Sequence, residues 1–275
     1  MTALLKSLAP YALLPVLLWA GVVLLLFVMQ DRMVFLRLPQ HDIPLPAGTE
    51  ALRAVTPDGD VLHGHRIAGN GAEGERALVI GFGGNGWDAR ATLLYMRDAF
   101  PAHDVAAFHF RGYRPSEGRP SAAALMADAR LIHDQLAQGH DGPVLALGVS
   151  LGSGVAAHLA GARDLDGVIL LTAFDDLTEV ARQSFPWAPV RSLFRHPMPA
   201  AEDLARSTAP VALINASSDP VIPTERTAAL RDSLDPERLV LDVTIPGDHN
   251  AIHSSPETRT ALRRALERLL APPGG

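Results

Sequence analysis

The chain of 275 residues contains no cysteine, which excludes disulfides, thiolate nucleophiles and cysteine-ligated metals and leaves the redox compartment open. It also lacks any basic excess: 24 Lys and Arg stand against 30 Asp and Glu, for a net charge of −6. With a pI near 6.0, it has no electrostatic footprint for nucleic acid, and no such partner is expected. Its main glycine-rich loop, GFGGNGW at Gly81–Trp87, has neither the G-x-G-x-x-G spacing nor a Walker Lys-Ser/Thr, so a nucleotide site is not expected. Internal repeats and low-complexity tracts are absent, and one α/β domain is an ordinary use of this length.

What the chain does have is a long uncharged run. Between Lys6 and Asp31 lie 24 residues without a charge, SLAPYALLPVLLWAGVVLLLFVMQ. About 20 apolar residues suffice for a helix to cross the hydrocarbon core. Pro10 and Pro15 fall in the first half, where a kink is tolerated, and Tyr11 and Trp19 suit an interface. A signal peptide would have a shorter apolar core and a small-x-small cleavage site, which VVLLLFVMQDR does not offer. A buried core helix is the plainer alternative, but nothing downstream needs so apolar a first helix. Residues 1–30 are therefore read as an uncleaved transmembrane anchor, 31–48 as a linker and 49–275 as the globular domain. Lys6 and the amino terminus nearly balance Arg32 and Arg37 on the positive-inside count. A short tail before a single span favours a periplasmic or extracellular domain.

Beyond the linker, strands at Ala51–Thr56 and Val61–Ile67 flank the turn Pro57-Asp58-Gly59 and read as a hairpin. Buried apolar strands then alternate with amphipathic helices to the C-terminus. That alternation predicts an α/β fold with a mainly parallel sheet, helices on both faces and the hairpin as antiparallel edge. The rhythm breaks at residues 175–207, which read as a short helical cap or lid.

The stretch GVSLGSG, Gly148–Gly154, puts Ser150 in a G-x-S-x-G pattern between the strand Pro143–Gly148 and a helical segment. A sharp strand-to-helix turn there lifts a serine hydroxyl above the sheet. Such a hydroxyl is nearly inert without a base and an orienting acid. Asp219, after the strand PVALINAS, and His249, after RLVLDVTI, follow in the chain order Ser, Asp, His. Asp175 and Asp176 are the fallback acids, and His253 competes with His249 from one helical turn on. Acyl transfer builds charge on an oxygen, and two backbone N–H groups aimed at it lower the barrier. Leu151, after the nucleophile, supplies one; Gly84, in the loop after the strand RALVI, is the choice for the other. His63-Gly64-His65 are read as surface histidines rather than metal ligands, and Arg111 as a structural ion-pair residue. No metal or organic cofactor is called for.

Together these residues resemble the α/β-hydrolase superfamily and, within it, the Bem46-like, or ABHD13-like, membrane-anchored group. The likeness covers nearly the whole chain. MQDRMVFLRLP is similar to the group's Q-R-x-x-x-F/Y-x-P sequence, GFGGNGW stands for its H-G-N-x-G-N loop, RGYRPSEG for R-G-Y-G-x-S-x-G and GDHN for G-x-H-N. Phe82 replaces the family histidine beside the oxyanion loop, and Arg114-Pro115 replaces Gly-x after Tyr113. The resemblance implies a membrane-anchored serine hydrolase acting on an ester or thioester, its substrate a small-molecule or lipid acyl ester. A catalytically silent membrane-tethered scaffold and a serine peptidase are the alternatives, the latter without an acidic pocket or propeller domain to support it.

Overall fold

The structure is a computed structural model that describes residues 2–38, 43–72 and 74–271, with residues 2–12 as backbone only. It opens on α1, Thr2–Val34, unbroken by either proline. This helix runs four residues into the expected linker, because Asp31–Val34 contains no breaker and Asp31 is held in place. Its carboxylate Oδ1 accepts from Arg195 Nη2 at 2.6 Å and pairs with His196 Nε2 at 2.9 Å.

The hairpin is present as β1, Glu50–Val55, and β2, Val61–Ile67, paired antiparallel. There follow β3 (Leu78–Phe82), α2 (Ala89–Ala99), β4 (Asp104–Phe108), α3 (Ala122–Ala137), β5 (Val144–Val149), α4 (Leu151–Ala162) and β6 (Gly167–Leu171). After these come α5 (Leu177–Ser184), α6 (Val190–Leu193), α7 (Ala200–Ala205), β7 (Val211–Ala216), α8 (Thr224–Ser233), β8 (Leu239–Ile245) and α9 (Pro256–Leu270). Among the described residues they build one eight-stranded sheet, ordered β1-β2-β4-β3-β5-β6-β7-β8. From β4 to β8 every neighbour is parallel, while β1 and β2 form the antiparallel edge.

The central strands are apolar on both faces because both faces are covered. All six residues of β5 and of β7 are buried. On one side Leu147, Ile169 and Ile214 pack with Leu93 of α2 and Leu262 of α9. On the other, Leu170 and Leu213 pack with α3, α4, Leu204 of α7 and Leu230 of α8. Helix α7 lies inside the expected cap segment but belongs to this second layer: a Cβ at Gly161 of α4 would overlap the backbone of Asp203. The part that stands apart from the sheet is α5–α6, which leans on α1. Arg111 is clamped at the β1–β2 turn, pairing with buried Asp128 at 2.5 Å, Asp58 at 3.0 Å and Asp60 at 3.3 Å. Leaving its charge buried and unpaired costs several kcal/mol (~3–5), so this is a structural residue of the loop rim.

Candidate active site

The carboxyl ends of β3, β5, β7 and β8 meet at one place, where ligands bind in open α/β sheets. Ser150 stands between β5 and α4 with φ 50 and ψ −116, a region an L-residue enters only when its surroundings force it. Two glycines provide the force. A Cβ at Gly148 would stand 2.6 Å from Ser153 Cα and 2.8 Å from Ala156 Cβ. One at Gly152 would overlap the Phe82 carbonyl and lie 2.6 Å from that of Gly83. Their bare backbones let α4 press against β5 and the β3 loop, and the turn between has no room to relax. The Ser150 N–H donates to Leu171 O at 2.9 Å, and its carbonyl accepts from the Ser153 N–H at 2.8 Å and hydroxyl at 2.6 Å.

His249 stands at the exit of β8, its Nε2 3.0 Å from Ser150 Oγ and its Nδ1 2.7 Å from Asp219 Oδ2. A carboxylate accepts only, so Nδ1 carries the proton and Nε2 is left to accept from the serine hydroxyl. Asp219 is fixed by its other oxygen, which accepts from the N–H groups of Val221 and Ile222, each at 2.8 Å. Burial works to raise this carboxyl, but the His249 hydrogen bond and those two N–H groups outweigh it and hold it below its ordinary value. The acid is therefore ionised where the imidazole needs it.

The fallback acids are engaged elsewhere. Asp175 pairs with Arg226 at 3.1 Å, and Asp176 caps α5 by accepting from the Thr178 N–H at 2.7 Å. His253 comes on a 3₁₀ turn, Ala251–Ser254, that follows the site. Its ring stands edge-on to His249, centroids 5.8 Å apart, and to Trp87 at 5.1 Å. Burial, with the neighbouring His249, pushes its pKa down to about 4, so it is a neutral wall.

Leu151 precedes Gly152, which lies against the carbonyls of Phe82 and Gly83, just before Gly84. Neither the Gly84 nor the Leu151 N–H donates to an acceptor among the described residues, and Leu151 also opens the N-terminus of α4. The Gly84 loop is held by groups that the sequence did not single out. Asn85 Oδ1 accepts from Tyr113 Oη at 2.9 Å and from the Leu36 N–H at 2.8 Å, tying the loop to the segment just beyond α1. Thr172, just after β6, is the other non-glycine with positive φ among the described residues, at 46, and neighbours the Ser150 turn through Leu171. Both Asn85 and Tyr113 lie in conspicuous motifs, GFGGNGW and RGYRPSEG, but their spacing carries no sign that they touch.

His63 and His65 are not on the open surface. Both are half-buried, and His65 shares a cavity of about 290 Å³ with Arg90, His109 and Arg114. Burial lowers the pKa of His65 and takes that of His109 to about 4. Among the described residues no three His, Asp or Glu side chains converge as a metal site.

Three comparisons bear on this arrangement. The sequence profile of the alpha/beta hydrolase fold matches residues 78–195, which include Ser150. An uncharacterized protein of Mycobacterium tuberculosis is 30% identical over 259 residues, covering 90% of this chain and 89% of that one. The lysophosphatidylserine lipase ABHD12 of Xenopus tropicalis is 29% identical over 215 residues; they cover 67% of this chain but 55% of the lipase, so the chain spans about half its length. Among solved structures, the Pyrococcus furiosus esterase Pf2001 superposes with a TM-score of 0.66 at 17% identity, over 86% of this chain and 98% of that one. At that identity it speaks for the fold alone.

Proposed function

The chain belongs to the α/β-hydrolase superfamily, and from that premise we propose that it is a serine hydrolase cleaving carboxylic ester or thioester bonds. The observation that carries the reading is the line Ser150–His249–Asp219, two hydrogen bonds of 3.0 and 2.7 Å ending on an ionised acid. Ser150 Oγ bonds to the acyl carbon as His249 Nε2 takes its proton. Asp219 holds the imidazole and stabilises its charged form. The Gly84 and Leu151 N–H groups bind the oxyanion. As the acyl–oxygen or acyl–sulfur bond breaks, His249 returns the proton to the leaving alcohol or thiol. Water, activated by the same imidazole, then releases the acid from Ser150. Apart from substrate and water, every group in these steps is a side chain or backbone N–H of this chain.

The substrate class we favour is a lipid ester. Similarity to lipases supports it, as does α1, whose segment Leu13–Val34 is apolar and long enough to cross a bilayer. On this reading α1 is the membrane anchor, the domain lies on the periplasmic or extracellular side, and the chain falls in the Bem46-like, ABHD13-like group. A fluorophosphonate probe tests the chemistry: it should label the full-length protein and not Ser150→Ala. Labelling that survives the substitution, or a wild type inert to both probe and acyl esters, would overturn the proposal.

A further inference from the structure

Between α1 and the α5–α6 cap lies a cavity of about 210 Å³. One wall is a single face of α1, with Val23, Leu26, Phe27 and Gln30 at i, i+3, i+4 and i+7. Opposite stand Phe185 and Leu193 of the cap. Gln30 is the one polar residue in the wall, and its amide is committed. Nε2 donates to the carbonyls of Phe27 at 2.9 Å and Leu193 at 3.3 Å, and Oε1 accepts from the Arg195 N–H at 2.8 Å. No other polar side chain lines the cavity among the described residues. A cavity so lined stays dry and takes hydrocarbon.

Its surroundings say where the hydrocarbon comes from. On the same turns of α1 the outward residues Leu24, Leu25 and Val28 are 62%, 56% and 65% exposed. An apolar stripe of that kind is covered by a bilayer rather than by water. The cap runs beside it at the same height, where Trp19 Nε1 donates to the carbonyl of half-exposed Trp187 at 3.2 Å. From Phe185 to Val190 the cap sequence, FPWAPV, carries no charge. At its other end the cavity is lined by Val34. Two residues on, the Leu36 N–H is bonded to Asn85, next to Gly84.

We propose that this cavity is an acyl-chain subsite, which takes the fatty-acyl tail of an ester directly from the leaflet around α1 and leaves the carbonyl to reach Ser150 along the Asn85 loop. The proposal rests on the serine-hydrolase reading for its catalytic sense and on the cavity alone for its binding sense, and the two are tested apart. For binding, full-length Ser150→Ala in phosphatidylcholine vesicles is irradiated with a palmitoyl ester bearing a diazirine in its acyl chain. Crosslinks should fall in the cap peptide 185–194 and drop several-fold when Ala181→Trp or, as a second filling variant, Ala188→Trp occupies the cavity. Crosslinks confined to the outer face of α1, or unmoved by both fillers, would overturn the subsite. For catalysis, the ratio of kcat/KM for p-nitrophenyl palmitate to that for p-nitrophenyl acetate should fall on the order of tenfold in each filled variant on an otherwise wild-type background. An unchanged ratio in a folded variant would overturn the subsite too. A wild type inert to both esters but crosslinked in the cap would instead sink the hydrolase reading and keep the subsite.

Discussion

The Ser150 region and the α1–cap region are built on opposite terms. Around Ser150 the chain holds its own side chains in place: a strained turn is locked by two close-packed glycines, and an imidazole is held at both nitrogens. Between α1 and the cap lies an apolar cavity, and beside it leucine and valine side chains face outward. The first region takes its partners from within the chain. On the proposed reading, the second takes them from the hydrocarbon around it. Polar pre-organisation has to be intramolecular, because it must exist before substrate arrives, whereas an apolar surface can borrow its partner from the solvent it sits in.

The sharpest test of the self-contained region is Ser150→Ala, which deletes one hydroxyl and should leave the fold intact. Hydrolysis should fall on the order of 10³-fold or more, the remainder coming from oxyanion binding. Activity within about tenfold of wild type would remove Ser150 from the mechanism. Next, Asp219→Asn and His249→Ala should each be severely impaired, and the double variant little worse than the worse single one, since linked groups do not contribute additively. Additive losses in steady-state kinetics would mean that the two side chains act separately.

The borrowed region is broken by removing it. Full-length protein should stay with membranes through high salt and alkaline carbonate, because burying a stretch this apolar is favourable by roughly 25 cal/mol per Å². A chain starting at Asp31 keeps Leu36 against Asn85 but loses the α1 wall, so it should be soluble and retain acetyl-ester hydrolysis while losing palmitoyl-ester hydrolysis. Recovery of the full-length chain in the carbonate supernatant would end the anchor reading.

The smallest effect expected is on stability. His253 titrates at 6.5 when unfolded and at about 4 in the fold, chiefly through burial. Between those values the unfolded chain binds the extra proton, so stability should fall as pH drops from about 6.5 to about 4. His109, also lowered to about 4, adds to the same slope. Asp219, with its folded pKa below 3.8, contributes stability that is lost only at more acid pH. The fall in Tm between pH 7 and pH 5 should be smaller in His253→Gln than in wild type, as read by calorimetry; an equal fall would show that the buried imidazole does not carry that slope.

Much of this molecule was legible in the chain itself. Strand–helix alternation, the hairpin edge and the long apolar helix are local signals, each written in the period of a few residues, and the parallel sheet follows from their order. The elbow was readable because Gly148 and Gly152 flank Ser150 within the same turn. Contacts between distant segments were not. Three carboxylates follow plausible strand ends, and only the fold decides that Asp219 meets His249, thirty residues on, while Asp175 turns to Arg226. The helix was expected to stop at residue 30, yet it continues to Val34, secured by Arg195 and His196 from 164 and 165 residues away. Asn85 meets Leu36 across 49 residues and Gln30 meets Arg195 across 165; the first contact joins the segment just beyond the apolar helix to the glycine loop, the second the helix to the cap. A sequence carries periodicity because neighbours along the chain share one backbone geometry. It carries no comparable record of which distant loops will touch, since that depends on how the layers pack, and packing is decided only when the whole sheet is assembled.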